Sequence, residues 1–177
     1  ITITQGNLGT LALGGSDAGS YNINTIATNN LVTVDISKKP VNLTGSRLYD
    51  GTKTINSGAI SAIGGTIGSQ TLTVSGNGTL NLGGAGSRTI ADTSSFTLGN
   101  GSNGGIGANY KLDGGTHSVT VSPKPVTITG TKLYDGDRVV HSNSTEAAIT
   151  LVSGESLLWT GNGVSNSADV GNQTVAQ

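Results

Sequence analysis

The chain has 177 residues and a formal net charge of −1, and its composition is narrow: 29 Gly, 25 Thr, 20 Ser and 16 Asn fill 90 positions, while only 11% of residues are charged. That balance excludes a phosphate-neutralising nucleic-acid binder, and no apolar run approaches the ~18 residues of a membrane helix. Without Cys there is neither a disulfide framework nor a thiolate metal site, and the low net charge argues against charge-driven disorder.

Along the chain, short runs of Val, Ile, Leu and Thr alternate with polar positions. They fall at residues 31–36, 41–44, 71–74, 119–121 and 126–129. Cβ-branched residues suit a pleated surface, so each run predicts a strand. Between them, Asp50-Gly51, Asn77-Gly78, Asn100-Gly101, Asp113-Gly114 and Asp135-Gly136 predict tight hairpin turns, because Asn and Asp tolerate positive φ and Gly adopts it freely. Residues 99–105 read as a Gly-rich loop, since no helix follows to bind phosphate. Phe96 reads as core. Only residues 145–149, beside Ser144 as a cap, suggest a turn of helix. The period predicts an all-β chain.

An internal repeat organises these elements. Residues 36–92 and 121–177 match at an offset of 85, with 20 identities in 57 positions. Lys39-Pro40-Val41, Thr44-Gly45 and Leu48-Tyr49-Asp50-Gly51 return as Lys124-Pro125-Val126, Thr129-Gly130 and Leu133-Tyr134-Asp135-Gly136. A second pair, residues 18–23 and 107–112, sets Tyr21 against Tyr110 at an offset of 89. The period exceeds the ~20–47 residues of a solenoid coil and fits a small globular module. If Lys-Pro-Val opens the module, residues 1–34 are the C-terminal part of a preceding repeat. Residues 35–119 are then a complete repeat and 120–177 the N-terminal part of the next. Two expectations follow from that phase: a stretch of a long tandem array, or terminal pieces that complete one another between molecules by head-to-tail strand complementation.

Lys-Pro-Val, a strand, Thr-Gly and then Leu-Tyr-Asp-Gly resembles the YDG-type tandem repeats of large bacterial secreted and surface adhesins, filamentous-haemagglutinin-like proteins exported by two-partner secretion. Gly86-Ser87-Arg88-Thr89-Ile90 and Ala108-Asn109-Tyr110-Lys111-Leu112 are similar to later segments of that family. The likeness covers nearly the whole chain. The second copy departs from it at Asn172-Gln173, where the first carries Arg88, and at Trp159, which replaces Val74. The resemblance implies an extracellular repeat of a bacterial surface or biofilm protein, with no catalytic residues.

The four tyrosines occupy equivalent positions, Tyr49 with Tyr134 and Tyr21 with Tyr110. Each ring is expected to cap the core while its hydroxyl finds a backbone partner, the alternative being a platform for stacking sugars. Asp50-Gly51 and Asp135-Gly136 are read as turns in which the Asp side chain bonds backbone N–H groups. A calcium site needs converging oxygens, and eight Asp and two Glu are scattered along the chain. Trp159 is either a core residue or a contact at a binding surface. His117 and His141 are isolated from paired carboxylates, and no nucleophile elbow, phosphate loop or zinc-protease motif occurs. The expectation is therefore no enzyme, no metal and no cofactor. Asn42, Asn77, Asn143 and Asn172 open glycosylation sequons.

The fold expectation is tandem Ig-like β-sandwich modules of about 85 residues. A β-grasp-like module, which requires a helix across the sheet, is the alternative, and a β-helix comes third. The functional expectation is a non-catalytic structural repeat, a stalk or spacer in cell attachment. Its alternatives are a self-assembling extracellular filament subunit and a weak multivalent glycan-binding module. Expected partners are neighbouring repeats or identical subunits, and host or matrix glycans, with no nucleic acid and no membrane insertion. Absence of Cys and Met removes the readily oxidised side chains, which suits an extracellular location.

Overall fold

The computed structural model describes residues 2–3, 12–21, 32–33, 35–142, 148–149, 151–158 and 160–176. Strand β1 (Thr2–Ile3) pairs antiparallel with β2 (Val32–Thr33). There follow β3 (Lys39–Pro40), β4 (Asn42–Leu48), β5 (Thr54–Asn56), β6 (Ile60–Gly64), β7 (Leu72–Leu80) and β8 (Gly86–Asp92). The next are β9 (Phe96–Asn100), β10 (Tyr110–Lys111) and β11 (His117–Ser122). The last five are β12 (Ile128–Thr129), β13 (Val139–His141), β14 (Ala148–Ile149), β15 (Asn162–Ser165) and β16 (Val175–Ala176). Helix among the described residues is confined to 3-10 turns at Ala18–Ser20, Ser57–Ala59 and Gly107–Asn109. The chain is all-β, as its period predicts, and its sheets are mixed and curled.

The main sheet runs β5-β7-β8-β11-β4-β6, with β9 attached to β7. Every neighbour is antiparallel except β11 and β4, which are parallel in the register His117↔Leu43 to Ser122↔Leu48. A parallel pair needs a long crossover, and here all the strands from β5 to β10 lie within it. Alternation on β4 and β11 buries Leu43, Val119 and Val121, which join Val41, Ile55, Leu80, Ile90, Phe96, Tyr110 and Leu112 in one cluster. Every buried hydrophobic residue among those described lies between Val41 and Val121.

β7 changes partner halfway. Residues 72–76 pair with β9, whereas Asn77–Thr79 pair with β5 and Thr79–Leu80 with β8. The change falls at Gly76, whose φ of +92° is strained for any residue with a side chain, and whose added Cβ would collide with the Ser95 carbonyl oxygen. Asn77-Gly78 is therefore the interior of a bent strand and not the hairpin turn its sequence suggests. Asp50-Gly51 does turn the chain, with φ +80° at Gly51. It joins β4 to β5, which do not pair with each other, so it is a corner between strands and not a hairpin. Of the suggested helical turn, residues 145–147 lie outside the described residues, and Ala148–Ile149 form β14 against β12.

The two copies share hydrogen bonds as well as residues. The pairs Val139↔Val164, Val140↔Gly163 and His141↔Asn162 repeat Thr54↔Thr79, Ile55↔Gly78 and Asn56↔Asn77 at the offset of 85. Ser165↔Val175 repeats Leu80↔Ile90. Leu80 N–H donates to the Lys53 carbonyl at 2.7 Å, and Ser165 N–H to the Arg138 carbonyl at 2.8 Å. The second copy also differs: β12 pairs with β14 one residue out of the register that β4 and β6 keep, and no strand among the described residues bridges β12 and β16 as β11 bridges β4 and β8.

Candidate functional site

The Tyr-Asp-Gly motif builds a corner stitched by its own neighbours. Asp50 Oδ1 accepts from the Thr52 N–H and hydroxyl, both at 2.9 Å, and pairs with the Arg47 guanidinium. Arg47 also donates to the Thr52 carbonyl at 2.5 Å. Burial tends to raise the Asp50 carboxyl, but the Thr52 N–H, the Arg47 guanidinium and the Thr52 hydroxyl outweigh it and hold the group below the usual carboxylate range. The second copy repeats the arrangement with Lys in place of Arg. Lys132 Nζ lies 2.8 Å from Asp135 Oδ1 and donates to the Asp137 and Val139 carbonyls at 2.8 and 2.7 Å. Asp135 accepts from Asp137 N–H at 3.0 Å, and its carboxyl is likewise lowered, first by Lys132 and then by that N–H.

At Tyr49 the first copy meets the second. The ring is half-buried against the core, its N–H donates to the Ser122 carbonyl at 2.8 Å, and its hydroxyl donates to Glu155. That bond to a carboxylate, with burial and the nearby charges of Glu155 and Asp50 adding to it, raises the phenol above its ordinary value. Gly51 closes the contact: a Cβ there would stand 2.6 Å from Val152 Cγ1. Beside it lies a cleft of about 520 Å³, lined by Tyr49, Gly84 and Ala85 of the first copy and by Pro123, Val126, Leu151, Val152 and Leu157 of the second. Its walls are chiefly aliphatic.

Set against family models, curated proteins and solved structures, this chain matches none. The junction must therefore be read from its own chemistry. A neutral phenol donating to a carboxylate is a tie between two segments. Among the described residues no group of three His, Asp or Glu side chains converges as metal ligands would.

The other sequence candidates are dispersed. Tyr110 is buried; its hydroxyl accepts from the Ile67 N–H at 3.1 Å and donates to the Gln70 carboxamide. Tyr21 and Tyr134 are exposed, the former beside a hollow of about 300 Å³ formed by residues 13–18. Trp159 lies outside the described residues, as does Asn143. Asn42 uses its side-chain oxygen on the Thr116 N–H at 2.7 Å, Asn77 sits within β7, and Asn172 is exposed. His117 bridges strands instead of facing a carboxylate: Nδ1 accepts from Leu43 N–H at 3.1 Å and Nε2 donates to the Leu112 carbonyl at 3.0 Å. His141 Nδ1 lies 2.7 Å from Asn162 Oδ1.

Sequence reasoning missed Glu155 and Val152. The offset of 85 aligns Glu155 with Gln70, and each accepts a bond from a tyrosine hydroxyl, Gln70 from Tyr110 and Glu155 from Tyr49. Those two tyrosines are not equivalents in the repeat, so the alignment did not point to the Tyr49–Glu155 pair.

Proposed function

We propose that the chain is a non-catalytic structural repeat of an extracellular bacterial adhesin or biofilm-matrix protein, serving as stalk or spacer in cell attachment. The observation that supports this reading is the use made of the Tyr-Asp-Gly motif. In the first copy Tyr49 and Gly51 neither face a catalytic group nor form a ligand platform; they tie the copy to residues 151–157 of the next. A motif kept in each copy, and in the first copy used at the joint, suits a protein whose task is to set consecutive modules at fixed spacing. Tyr110 is buried and Tyr49 engaged, so neither ring is presented for sugar stacking.

For the module itself, the strand order favours a β-grasp-like sheet over an Ig-like sandwich. The first and last long strands of the repeat, β4 and β11, are parallel neighbours flanked by β6 and β8. The helix that such a fold carries has no counterpart among the described residues, where only 3-10 turns occur.

The test is small-angle scattering at high dilution together with a glycan panel. An elongated two-body particle whose dimensions do not change with added sugars is expected. Saturable binding to a defined glycan, or turnover of one, would overturn the spacer reading.

A further inference from the structure

We propose that Asn103-Gly104 is a site of spontaneous covalent modification, at which the asparagine deamidates through a cyclic imide to aspartate and isoaspartate. This goes beyond the spacer reading and does not depend on it. The step needs no enzyme, and water is its co-reactant. The Gly104 nitrogen attacks the side-chain carbonyl carbon of Asn103 and closes a succinimide ring. As that C–N bond forms, the bond from the same carbon to the side-chain nitrogen breaks, and ammonia leaves with the proton that Gly104 N–H gives up. Water then opens the ring at one carbonyl or the other. One opening gives aspartate; the other gives isoaspartate, in which the main chain runs through the former side-chain carbonyl.

Asn-Gly pairs open at Asn77, Asn100, Asn103 and Asn162. Glycine is the successor that hinders the attack least, since it sets no side chain beside its nitrogen. What separates the four is how far the fold lets that nitrogen reach the neighbouring side chain. Gly78 is buried within β7, where an added Cβ would stand 2.6 Å from the Asp92 carbonyl oxygen and 2.6 Å from Phe96 Cε2. Gly101 N–H donates to the Gly105 carbonyl at 3.0 Å, and the Asn100 side-chain oxygen accepts from Gly107 N–H at 2.9 Å. Gly163 lies in β15 opposite Val140, and Asn162 Oδ1 is 2.7 Å from His141 Nδ1.

Asn103 and Gly104 are instead the centre of a reverse turn. Gly105 N–H donates to the Ser102 carbonyl at 3.1 Å, and φ is +55° at Asn103 and +78° at Gly104. Positive φ at both central residues is the primed geometry that Asn-Gly favours. The bond of such a turn joins its outer residues, and Gly104 N–H has no hydrogen-bond partner among the described residues. Both residues are exposed. The Asn103 side chain is held by one bond, from Nδ2 to the Ser69 carbonyl at 2.9 Å. Swinging the Gly104 nitrogen onto that side chain opens the turn but breaks no strand pairing. At the other three pairs the Asn lies in β7, β9 or β15, so a strand must open first.

The products change this turn in two ways. A carboxylate at residue 103 adds a negative charge to a chain whose formal net charge is −1, and it cannot donate to the Ser69 carbonyl. Isoaspartate also lengthens the backbone by a methylene within the loop that sets Ser102 against Thr71, where Ser102 N–H donates to Thr71 Oγ1 at 2.7 Å. No strand includes residues 101–109, so the main sheet keeps its pairing while the loop loosens.

The test incubates the full chain in mildly alkaline buffer, folded and in denaturant, and follows aspartate and isoaspartate at each pair by tandem mass spectrometry of its peptides. In the folded chain, conversion at Asn103 is expected to run roughly tenfold or more ahead of Asn77, Asn100 and Asn162, because its opening is local. In denaturant the four rates should converge. Ion exchange should show an acidic form accumulating in step with the change at Asn103. Asn103→Gln, a change at an exposed turn residue that disfavours the ring, should abolish that form while the strand signal in circular dichroism is kept. Three results would each overturn the proposal and leave the spacer reading standing. They are a folded-state rate at another pair within that margin, an acidic form that persists in Asn103→Gln, and no conversion at Asn103 over the time in which the denatured chain reacts.

Discussion

Asn166 makes, 85 residues along the chain, the bonds that Asn81 makes. The Asn81 side-chain oxygen accepts from Thr89 N–H at 3.2 Å, and that of Asn166 from Thr174 N–H at 2.8 Å. In return each Asn N–H donates to the carbonyl of the same Thr, at 3.0 and 2.9 Å. Each ring of two bonds closes the link between a strand and its antiparallel successor. Asn81→Ala opens one ring at a cost of about 0.5–1.5 kcal/mol. Asn81→Asp keeps the acceptor and should cost less. The denaturant midpoint reads the difference, with an unchanged slope showing that the fold is retained.

Gly76 and Gly161, with φ of +92° and +99°, occupy equivalent positions: Gly76 marks the bend within β7, and Gly161 directly precedes β15. Gly76→Ala is expected to destabilise by more than about 1–2 kcal/mol, the cost of a left-handed L-residue, because its Cβ also strikes the Ser95 carbonyl. Gly58→Ala, where a Cβ meets nothing and φ is not positive, is the control and should be near neutral. Thermal melting of the two variants checks the contrast.

This position also shows what could be read in advance. Gly76-Asn77-Gly78 carries the composition of a turn, and local chemistry alone cannot tell a turn from a strand forced to bend between two partners. Alternation found β4, β7 and β11 because each buries one face. It missed β8 and β9, whose few aliphatic residues are set among Gly, Ser, Thr and Asn and make no alternating run. The Asp50 and Asp135 turns were legible because their bonds are local. The role of Tyr49 was not, since its partner Glu155 is 106 residues distant.

His117 is a prediction of its own. Its ring uses both nitrogens, accepting from Leu43 N–H and donating to the Leu112 carbonyl, and so locks β11 to β4 and to the turn before it. His117→Ala leaves a partly buried N–H and a carbonyl without that partner, at a cost of about 1–3 kcal/mol. Hydrogen exchange at Leu43 should accelerate more than at Ile55 on β5, which the ring does not touch.

The pH dependence follows from four groups. Asp50, Asp92 and Asp135 are lowered from 3.8, so their contribution is present above that value and is lost as pH falls through the lower folded values. Tyr49 is raised from 10.0, so its tie to Glu155 persists below that value and is lost as pH rises through the higher folded one. Stability should therefore fall on an acid limb below 3.8 and an alkaline limb above 10.0. Tyr49→Phe should lower the neutral plateau and flatten the alkaline limb, as thermal scans across pH will show. Asp135→Asn should flatten the acid limb.

The two copies should not melt together. Leu80 fills the core of the first, whereas its counterpart is Ser165, a buried polar residue whose hydroxyl lies 3.0 Å from the Arg138 carbonyl and 2.6 Å from that of Ser167. The second copy thus substitutes hydrogen bonds for packing, and Val126 and Ile128, the counterparts of Val41 and Leu43, are exposed. The sole tryptophan, Trp159, belongs to the second copy by sequence, so its fluorescence reports that copy. Its transition should precede the loss of far-ultraviolet strand signal, violating two-state behaviour. Leu80→Ala should cost about 2–5 kcal/mol and pull the later transition down. The fluorescence midpoint should move little with that change. Coincident transitions would mean that the two copies fold as one unit.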